Sequence, residues 1–320
     1  MMSSNNTNEL ARLNRTKTWE WVVLALMLAS PLLFAERAMM INEIAITALF
    51  AISLDLILGY SGVVSLGHAA FFGWGVYAAG IFSKLVYPDP IVGLLFVVAT
   101  SLILGLICSL TILRGSDLTR LMVTLGVSLI GLELANQLRD LTGGADGLQG
   151  VVMAPIFGIF EFDLSAKVAS IYSVLICVLV LVLVRRLVRS PFGFGLIAIR
   201  DNSLRARAVG LNVSRRLMVI YAISASLAGL SGALLAQTTG FASLDVFSFD
   251  RSADVMLMLV IGGVGWLYGG VLGAVVFKLI QSQLSSITPH YWMFWIGLFL
   301  VILVLTGRDR IKEWVAGISA

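Results

Sequence analysis

A glycine-rich stretch at residues 59–75, GYSGVVSLGHAAFFGWG, combines groups that could bind a small polar molecule. It carries one of the two histidines of the chain, His68, and the hydroxyls of Ser61 and Ser65. Each of its five glycines lowers helix stability by about 1 kcal/mol relative to alanine. A helix interrupted here would leave backbone N–H and C=O groups available for hydrogen bonding. The stretch therefore indicates binding through hydroxyls, an imidazole and open backbone, without a full fixed charge.

Patterns typical of metal-dependent and nucleotide-binding enzymes are absent from the sequence. His68 and His290 lie in different apolar runs, and neither has a cysteine or a paired acid at the spacing of a metal site. The chain has no H-E-x-x-H and no G-x-x-x-x-G-K-[ST] phosphate loop. Cys108 and Cys177 lie inside apolar runs, as small buried hydrophobic residues do. We therefore expect no metal, no cofactor bound by this chain and no catalytic site.

The composition indicates a membrane protein. Of 320 residues, 59% are hydrophobic and 12% charged, against about 25% charged in soluble domains, and the mean hydropathy is +0.97. A membrane-spanning helix needs about 20 apolar residues. The sequence thus predicts an all-α, polytopic transmembrane helix bundle. Its apolar runs lie near 19–35, 41–58, 64–86, 91–113, 118–138, 168–188, 217–239, 253–264, 267–286 and 290–306.

Charge in the loops predicts the orientation of these runs. The loop at 185–216 holds eight arginines against a single acid, Asp201, so the positive-inside rule places it in the cytoplasm. Both ends of the chain are also basic, whereas the loops at 139–167 and 240–254 are not. About ten spans (8–10) with both termini cytoplasmic satisfy every loop. The basic residues are thus topological markers, and no nucleic acid binding is expected. The predicted division is a cytoplasmic tail at 1–18, one transmembrane domain at 19–306 and a cytoplasmic tail at 307–320.

Two apolar runs are shorter than a span. The run at 253–264 supplies 12 residues before GGVGWLYGGVLG, and the run at 44–58 supplies 15 before the first glycine-rich stretch. Short, glycine-interrupted segments in both halves of a membrane protein indicate a transport path. Close helix packing is the alternative for the second cluster, because Gly265, Gly269 and Gly273 fall four apart on one helical face. The two interpretations are compatible.

The arginine-rich loop at 189–216 encodes a short helix with a stop at each end. Asp201, Asn202 and Ser203 can cap a helix over 204–209, and Gly210 stands where a C′ glycine belongs. Leu211 is placed for the closing hydrophobic contact, and Ser214 can cap the next helix. Upstream, Gly193 and Gly195 weaken the helix that Ser190 and Pro191 begin. Anchoring to anionic lipid headgroups remains an alternative, but a helix bounded at both ends favours docking into a groove on a partner.

Four segments together resemble the permeases of branched-chain amino acid ABC importers, most of all the longer of the two paired permeases. The resemblance covers roughly residues 40–310, and the permeases of urea and short-amide importers are similar. It implies a heterodimer with a second permease subunit, two cytoplasmic ATPase subunits that use ATP and Mg²⁺, and a periplasmic substrate-binding protein, in a bacterial inner membrane. The segments are LDLILGYSGVVSLGHAAFFGWGVYAAG (54–80), LTGGADGLQGV (141–151), RSPFGFGLIAIRDNSLRARAVGLNVSRRLMVIYAISASLAGLSGALLA (189–236) and LVIGGVGWLYGGVLGAVVF (259–277).

The resemblance also implies where the ATPase subunits bind. The helix with which such permeases contact their ATPases falls on 200–210, which agrees with the capped helix derived from the residues alone. The predicted coupling residues are Arg200, Asp201, Asn202, Arg205, Ala206, Arg207, Ala208 and Gly210.

The translocation path is predicted at the two glycine-rich breaks, where backbone groups could bind the carboxylate and ammonium of a zwitterion. For His68, an interhelical hydrogen bond is the favoured alternative to a contact with substrate. Trp266 stands where the family more often has a small or hydroxyl residue, and Gly270 where it has proline, which leaves the width of the path and the substrate class open. The predicted path residues are Ser61, Gly62, Ser65, Gly67, His68, Gly262, Gly263 and Gly265.

A loop between spans is predicted to face the binding protein, with plain turn chemistry as the alternative. Its residues are Thr142, Gly143, Gly144, Asp146 and Gly147.

Alternative functions stay open beside an amino acid importer. Urea, short amides or aromatic acids are possible substrates, and an ion-coupled secondary transporter or a membrane-embedded enzyme or assembly factor are rival classes. The secondary transporter is disfavoured because acids at membrane depth are few, namely Asp55, Glu43 and Glu133.

Overall fold

The computed structural model describes residues 18–163 and 165–287, together with 289, 291, 294–298 and 301. All of the predicted N-terminal tail except Thr18, the tail at 307–320, and most of the run at 290–306 with His290 lie outside the described residues. Within the described part the chain is helical. Its α-helices are α1 (Thr18–Leu33), α2 (Ala38–Leu58), α3 (Ala69–Leu85), α4 (Pro90–Ile112), α5 (Asp117–Gln137), α6 (Arg139–Thr142), α7 (Lys167–Val188), α8 (Pro191–Asp201), α9 (Ser203–Ala208), α10 (Val213–Thr239), α11 (Phe249–Gly262) and α12 (Gly269–Ile287).

Among the described residues, six stretches are long and apolar enough to cross a membrane: α4, α5, α7, α10, α12 and Ala35–Leu58, which contains α2. The prediction of an all-α membrane protein is therefore confirmed. The helices α1, α3 and α11 are shorter, at 16, 17 and 14 residues. The total of about ten spans stays a prediction.

The expectation of a short span before the first glycine-rich stretch is wrong. Ala35–Leu58 runs for 24 residues, and the count from sequence stopped at Asn42 and Glu43 because both are polar. Asn42 is buried, and its amide bonds to Thr238 of α10 at 3.0 Å and to Ser173 of α7 at 2.6 Å. A buried amide with partners does not end a membrane helix. The helix shorter than a span is α3, which begins inside the first glycine-rich stretch, with 17 residues. The helix before the second cluster, α11, is short as predicted, with 14 residues.

The core is built around α10, which packs along α2, α3 and α4. Small residues allow this approach. A Cβ placed on Gly75 of α3 would lie 2.0 Å from the carbonyl oxygen of Gly229 in α10, so only glycine fits there.

The two ends of the bundle differ. The arginine end holds the last turn of α7, α8, α9 and the start of α10, and there buried Glu20 of α1 pairs with Arg185 at 2.7 Å and with Arg189. The loop end holds residues 139–166 and 240–248, where Leu148 and Ala242 form an antiparallel bridge. Those two loops were predicted to share one side of the membrane, and they pack on each other.

Candidate functional site

The two glycine-rich breaks meet at the arginine end. The first break, residues 59–68, joins α2 to α3, and the second, residues 263–268, joins α11 to α12. The backbone N–H of Gly265 donates to the Asp55 carboxylate at 2.8 Å. The guanidinium of Arg200, on α8, donates to the carbonyl of Gly59 and lies within electrostatic reach of Asp55. Arg200 therefore ties the helix before α9 to both breaks, and we call this contact the glycine junction.

Two glycines let Arg200 come this close. Gly62 has φ +73° and Gly265 has φ +75°, values that side chains rarely adopt. A Cβ on Gly62 would lie 2.9 Å from Cγ of Arg200, and one on Gly265 would lie 3.2 Å from Nη1 of the same residue. The junction thus depends on glycine for both conformation and space.

The rest of the first break is held by neighbouring helices. The N–H of Leu66 donates to Thr124 Oγ1 of α5 at 3.3 Å, and the N–H of Ala69 donates to Ser252 Oγ of α11 at 2.9 Å. A Cβ on Gly67 would lie 1.7 Å from the Thr124 carbonyl oxygen. These groups are engaged by protein in this conformation, so the break is packed and not open along its length.

The hydroxyls of the break divide between a cavity and the core. Ser61 donates to the carbonyl of Ile57 at 2.7 Å, and with exposed Gly62 it borders a cavity of about 240 Å³ beside α9. Ser65 is buried next to Tyr221 of α10. Only Ser61 and Gly62, of the predicted path residues in this break, line that cavity.

His68 lies in the core between three helices. Its Nε2 is 3.0 Å from Ser53 Oγ of α2 and 3.4 Å from Ser224 Oγ of α10. Its ring stacks on Phe50 with centroids 5.6 Å apart, and 1% of the residue is exposed. This geometry is that of an interhelical hydrogen-bonder, and a contact with substrate stays a prediction.

The second glycine-rich cluster interrupts a helix and also packs closely against α11. α11 ends at Gly262, and Gly263 and Gly265 lie in the break with positive φ. The expectation that Gly265, Gly269 and Gly273 share one helical face is wrong, because α12 begins only at Gly269. The other two do face α11 closely: a Cβ on Gly273 would lie 1.9 Å from the carbonyl oxygen of Met258. Trp266 is 41% exposed, and the centroid of its ring lies 6.2 Å from that of Trp19 in α1.

The short helix of the arginine-rich loop is confirmed as α9, one residue earlier than predicted. Asn202 Oδ1 accepts from the N–H of Arg205 at 2.9 Å. At the other end Gly210 has φ +90°, and the N–H groups of Gly210 and Leu211 donate to the carbonyls of Arg207 and Ala206 at 2.9 and 3.1 Å. This is the Schellman arrangement that a C′ glycine supports.

Two local expectations around α9 are wrong. Asn212, and not Ser214, caps α10, because its Oδ1 accepts from the N–H of Arg215 at 3.1 Å. The upstream glycines do not weaken α8, which runs unbroken through both. A Cβ on Gly195 would lie 2.4 Å from the guanidinium of Arg216, so this glycine makes room for α10.

The surface of α9 is split between an anchor and a free face. Ala206 is buried with Val63, Ile199, Val213 and Leu217. Leu204 and Val209 are 76% and 77% exposed, and the other predicted coupling residues are exposed too. Those are Arg200, Asp201, Asn202, Arg205, Arg207, Ala208 and Gly210.

The predicted binding-protein loop forms a tight turn at the loop end. Thr142 caps it by donating to the carbonyl of Leu138 at 2.8 Å, and Gly143, Gly144 and Gly147 all have positive φ. Asp146 is exposed and borders a cavity of about 590 Å³ that Lys84 and Arg139 also line. The turn chemistry accounts for the glycines, and a contact with a partner stays a prediction.

Sequence reasoning missed one charged residue inside a predicted span. Lys278 was counted inside the apolar run at 267–286, whereas Asp254 was assigned to the outward-facing loop at 240–254. The structure pairs Lys278 with Glu43 at 3.3 Å. A search for single charges within predicted spans would have found Lys278. In the described part of the chain, no three His, Cys, Asp or Glu residues come together as a metal site would require.

The sequence is similar to known membrane transport proteins. The family described as "Branched-chain amino acid transport system / permease component" matches residues 37–304. The "High-affinity branched-chain amino acid transport system permease protein LivM" of Escherichia coli (strain K12) is 28% identical over 283 residues, 80% of this chain and 65% of that protein. The chain therefore spans less than two thirds of LivM.

More distant relatives carry other names. The "Galactose/methyl galactoside import permease protein MglC" of Haemophilus influenzae is 27% identical over 237 residues, 70% of this chain and 68% of that protein. The "Autoinducer 2 import system permease protein LsrC" of Photorhabdus laumondii is 27% identical over 144 residues, 43% of each chain. No solved structure matches the chain.

Proposed function

Because the chain belongs to the permease family of branched-chain amino acid transport systems, we propose that it is the membrane-spanning subunit of an ATP-driven importer for branched-chain or related amino acids. It takes substrate from a periplasmic binding protein and releases it to the cytoplasm. It works as a heterodimer with a second permease, and two separate ATPase subunits hydrolyse the ATP. In this orientation the arginine end and both termini are cytoplasmic, and the loop end faces the periplasm.

The observation that carries the proposal is the form of α9. A helix of six residues is too short to be stable alone, yet this one is capped at both ends and anchored through Ala206. Its free face presents Leu204, Val209 and the two arginines at 205 and 207. Exposed apolar side chains ringed by charge suit a protein groove better than water. We assign this face to the ATPase subunit.

The glycine junction supplies the route from ATP to the membrane. α8 and α9 are separated by a single residue, Asn202, so a displacement of α9 moves Arg200. Arg200 in turn holds Gly59 and stands against Gly265, each in one of the two helix breaks. ATP binding closes the ATPases and moves α9 as a rigid body. The breaks then act as hinges that switch the path between outward and inward access.

Charge reversal on α9 tests the ATPase assignment. Arg205→Glu with Arg207→Glu removes the basic charges without touching the buried anchor, so the permease inserts while the ATPases no longer copurify. Arg215→Glu, an exposed arginine at the start of α10, is the matched control and keeps them bound. Unchanged copurification of the ATPases with the α9 variant would mean that α9 is not the docking helix.

The energy source separates an ABC importer from an ion-coupled carrier. Uptake of leucine into proteoliposomes that hold the whole transporter should require ATP and its binding protein, and should persist when the proton gradient is collapsed. Uptake that follows the proton gradient and ignores ATP would favour the secondary transporter. A thermal-shift screen of the binding protein against amino acids, urea, amides and aromatic acids then identifies the substrate.

A further inference from the structure

The helix α12 carries a polar stripe along a face that a membrane helix would normally keep apolar. Lys278, Gln281, Ser282 and Ser285 recur every three or four residues, so they share one face. All four lie inside a helix long and apolar enough to span a membrane. Ser282 and Ser285 are exposed and Gln281 is half-buried. Hydrocarbon cannot solvate such groups, so the stripe faces water or protein.

The charge on the stripe is paired with an acid from another helix. The ammonium of Lys278 is 3.3 Å from Oε2 of Glu43 on α2, and 15% of the Lys278 side chain is exposed against 46% of Glu43. Asp254 of α11 feels the charge of Lys278 as well. Lys278 stands about 14 Å along α12 from Gly269, where the helix begins, at 1.5 Å per residue. The cluster therefore lies near the middle of α12 and nearer to the loop end than the glycine junction is.

The cluster opens into a groove between α2 and α12. The groove has a volume of about 460 Å³ and is bordered by Met39 and Met40 as well as the stripe. The adjacent face of α12 differs over its first three turns, where Leu272, Val275 and Leu279 line an apolar groove shared with α1 and α7.

We propose that the polar groove between α2 and α12 is the part of the translocation path nearer the loop end, and that it binds a zwitterionic amino acid. Lys278 takes the carboxylate, and Glu43 takes the ammonium. The ligand exchanges one ion pair for two, so each protein charge stays paired throughout. Binding is then weak and reversible, as a path requires. This inference rests on the proposed function.

Transport by charge variants tests the assignment. In proteoliposomes with the complete transporter, ATP and binding protein, Lys278→Met should lower leucine uptake about tenfold or more, because the ligand carboxylate loses its counter-ion. Lys278→Arg should retain most uptake. The double variant Glu43→Met with Lys278→Met removes the pair without leaving a lone charge, which proteins commonly tolerate, and its uptake should also be low. Wild-type uptake by the double variant would overturn the proposal, since the pair would then be structural only.

Accessibility gives an independent test. With Cys108 and Cys177 replaced by alanine, Ser282→Cys in the assembled transporter should react with a cationic thiosulfonate, and leucine-loaded binding protein should slow the reaction. Leu279→Cys, 40% exposed in its native form but on the apolar face, should not react. An unreactive Ser282→Cys, or one that leucine does not protect, would overturn the proposal. ATPase copurification is measured in every sample, so that failure to assemble counts against the proposed function and not against the groove.

Discussion

The glycine junction and the polar groove between α2 and α12 lie on the same two helices and differ in almost every property. The junction is packed: its glycines touch backbone, its N–H groups have protein partners, and Arg200 closes it. The groove is open, carries opposite charges and has long side chains that can move. A packed break is suited to bending, whereas an open groove with an exchangeable ion pair is suited to binding. The sequence drew attention to the first as a binding site, and its contacts favour a hinge.

The largest expected effect on uptake comes from removing the hydrogen bond between Arg200 and the carbonyl of Gly59 in the glycine junction. Arg200→Met removes a charge-assisted hydrogen bond to the Gly59 carbonyl, worth about 2–3 kcal/mol, so ATP-driven leucine uptake should fall roughly fiftyfold. The ATPases should stay bound and keep hydrolysing ATP. Asp201→Asn is the control, because it removes only the neighbouring 3.3 Å ion pair. Loss of the ATPases from Arg200→Met would make this residue a docking residue and remove the hinge.

The next prediction separates the backbone strain of a positive φ from the steric contact with Arg200 at the glycine junction. Gly62→Ala places a Cβ at φ +73° and 2.9 Å from Arg200, which should cost about 3 kcal/mol in stability and lower uptake as Arg200 shifts. Gly150→Ala has the same strain at φ +70° but nothing within 4 Å, and should cost about 1 kcal/mol. Thermal unfolding of the two purified variants gives the difference. Equal losses would mean that Arg200 does not need the space.

How far sequence could reach follows from how local each feature is. The capped helix α9 was predictable because the cap hydrogen bonds at Asn202 and Gly210 join groups only three to five residues apart. The groove could not be predicted, because Glu43 and Lys278 are 235 positions apart and the local sequence around one does not indicate contact with the other. The tie from Arg200 to Gly59 spans 141 positions. The start of α2 was misjudged for the same reason, since the partners that let Asn42 lie inside a membrane helix come from α7 and α10.

A smaller effect contrasts His68 with Lys278. His68→Ala empties a stacked, hydrogen-bonded site between α2, α3 and α10, and should lower stability by about 2 kcal/mol. If the first break is packed as the junction suggests, leucine uptake per assembled transporter should not change. Lys278→Met should instead lower leucine uptake per assembled transporter and change stability little. Uptake that falls with His68→Ala at full assembly would place substrate at the break and weaken the contrast between hinge and groove.

The smallest effect concerns how firmly α9 passes motion to the junction. Asn202→Ala removes the N-cap that accepts from Arg205 and should cost about 1 kcal/mol. In a helix of six residues this loss frays the docking face, so the affinity for the ATPase subunit should fall a few-fold. Asn212→Ala removes an equivalent cap from α10, whose 27 residues remain helical through packing. Both variants lose a similar cap bond, and only the first should weaken ATPase binding, because only α9 depends on its ends for its shape.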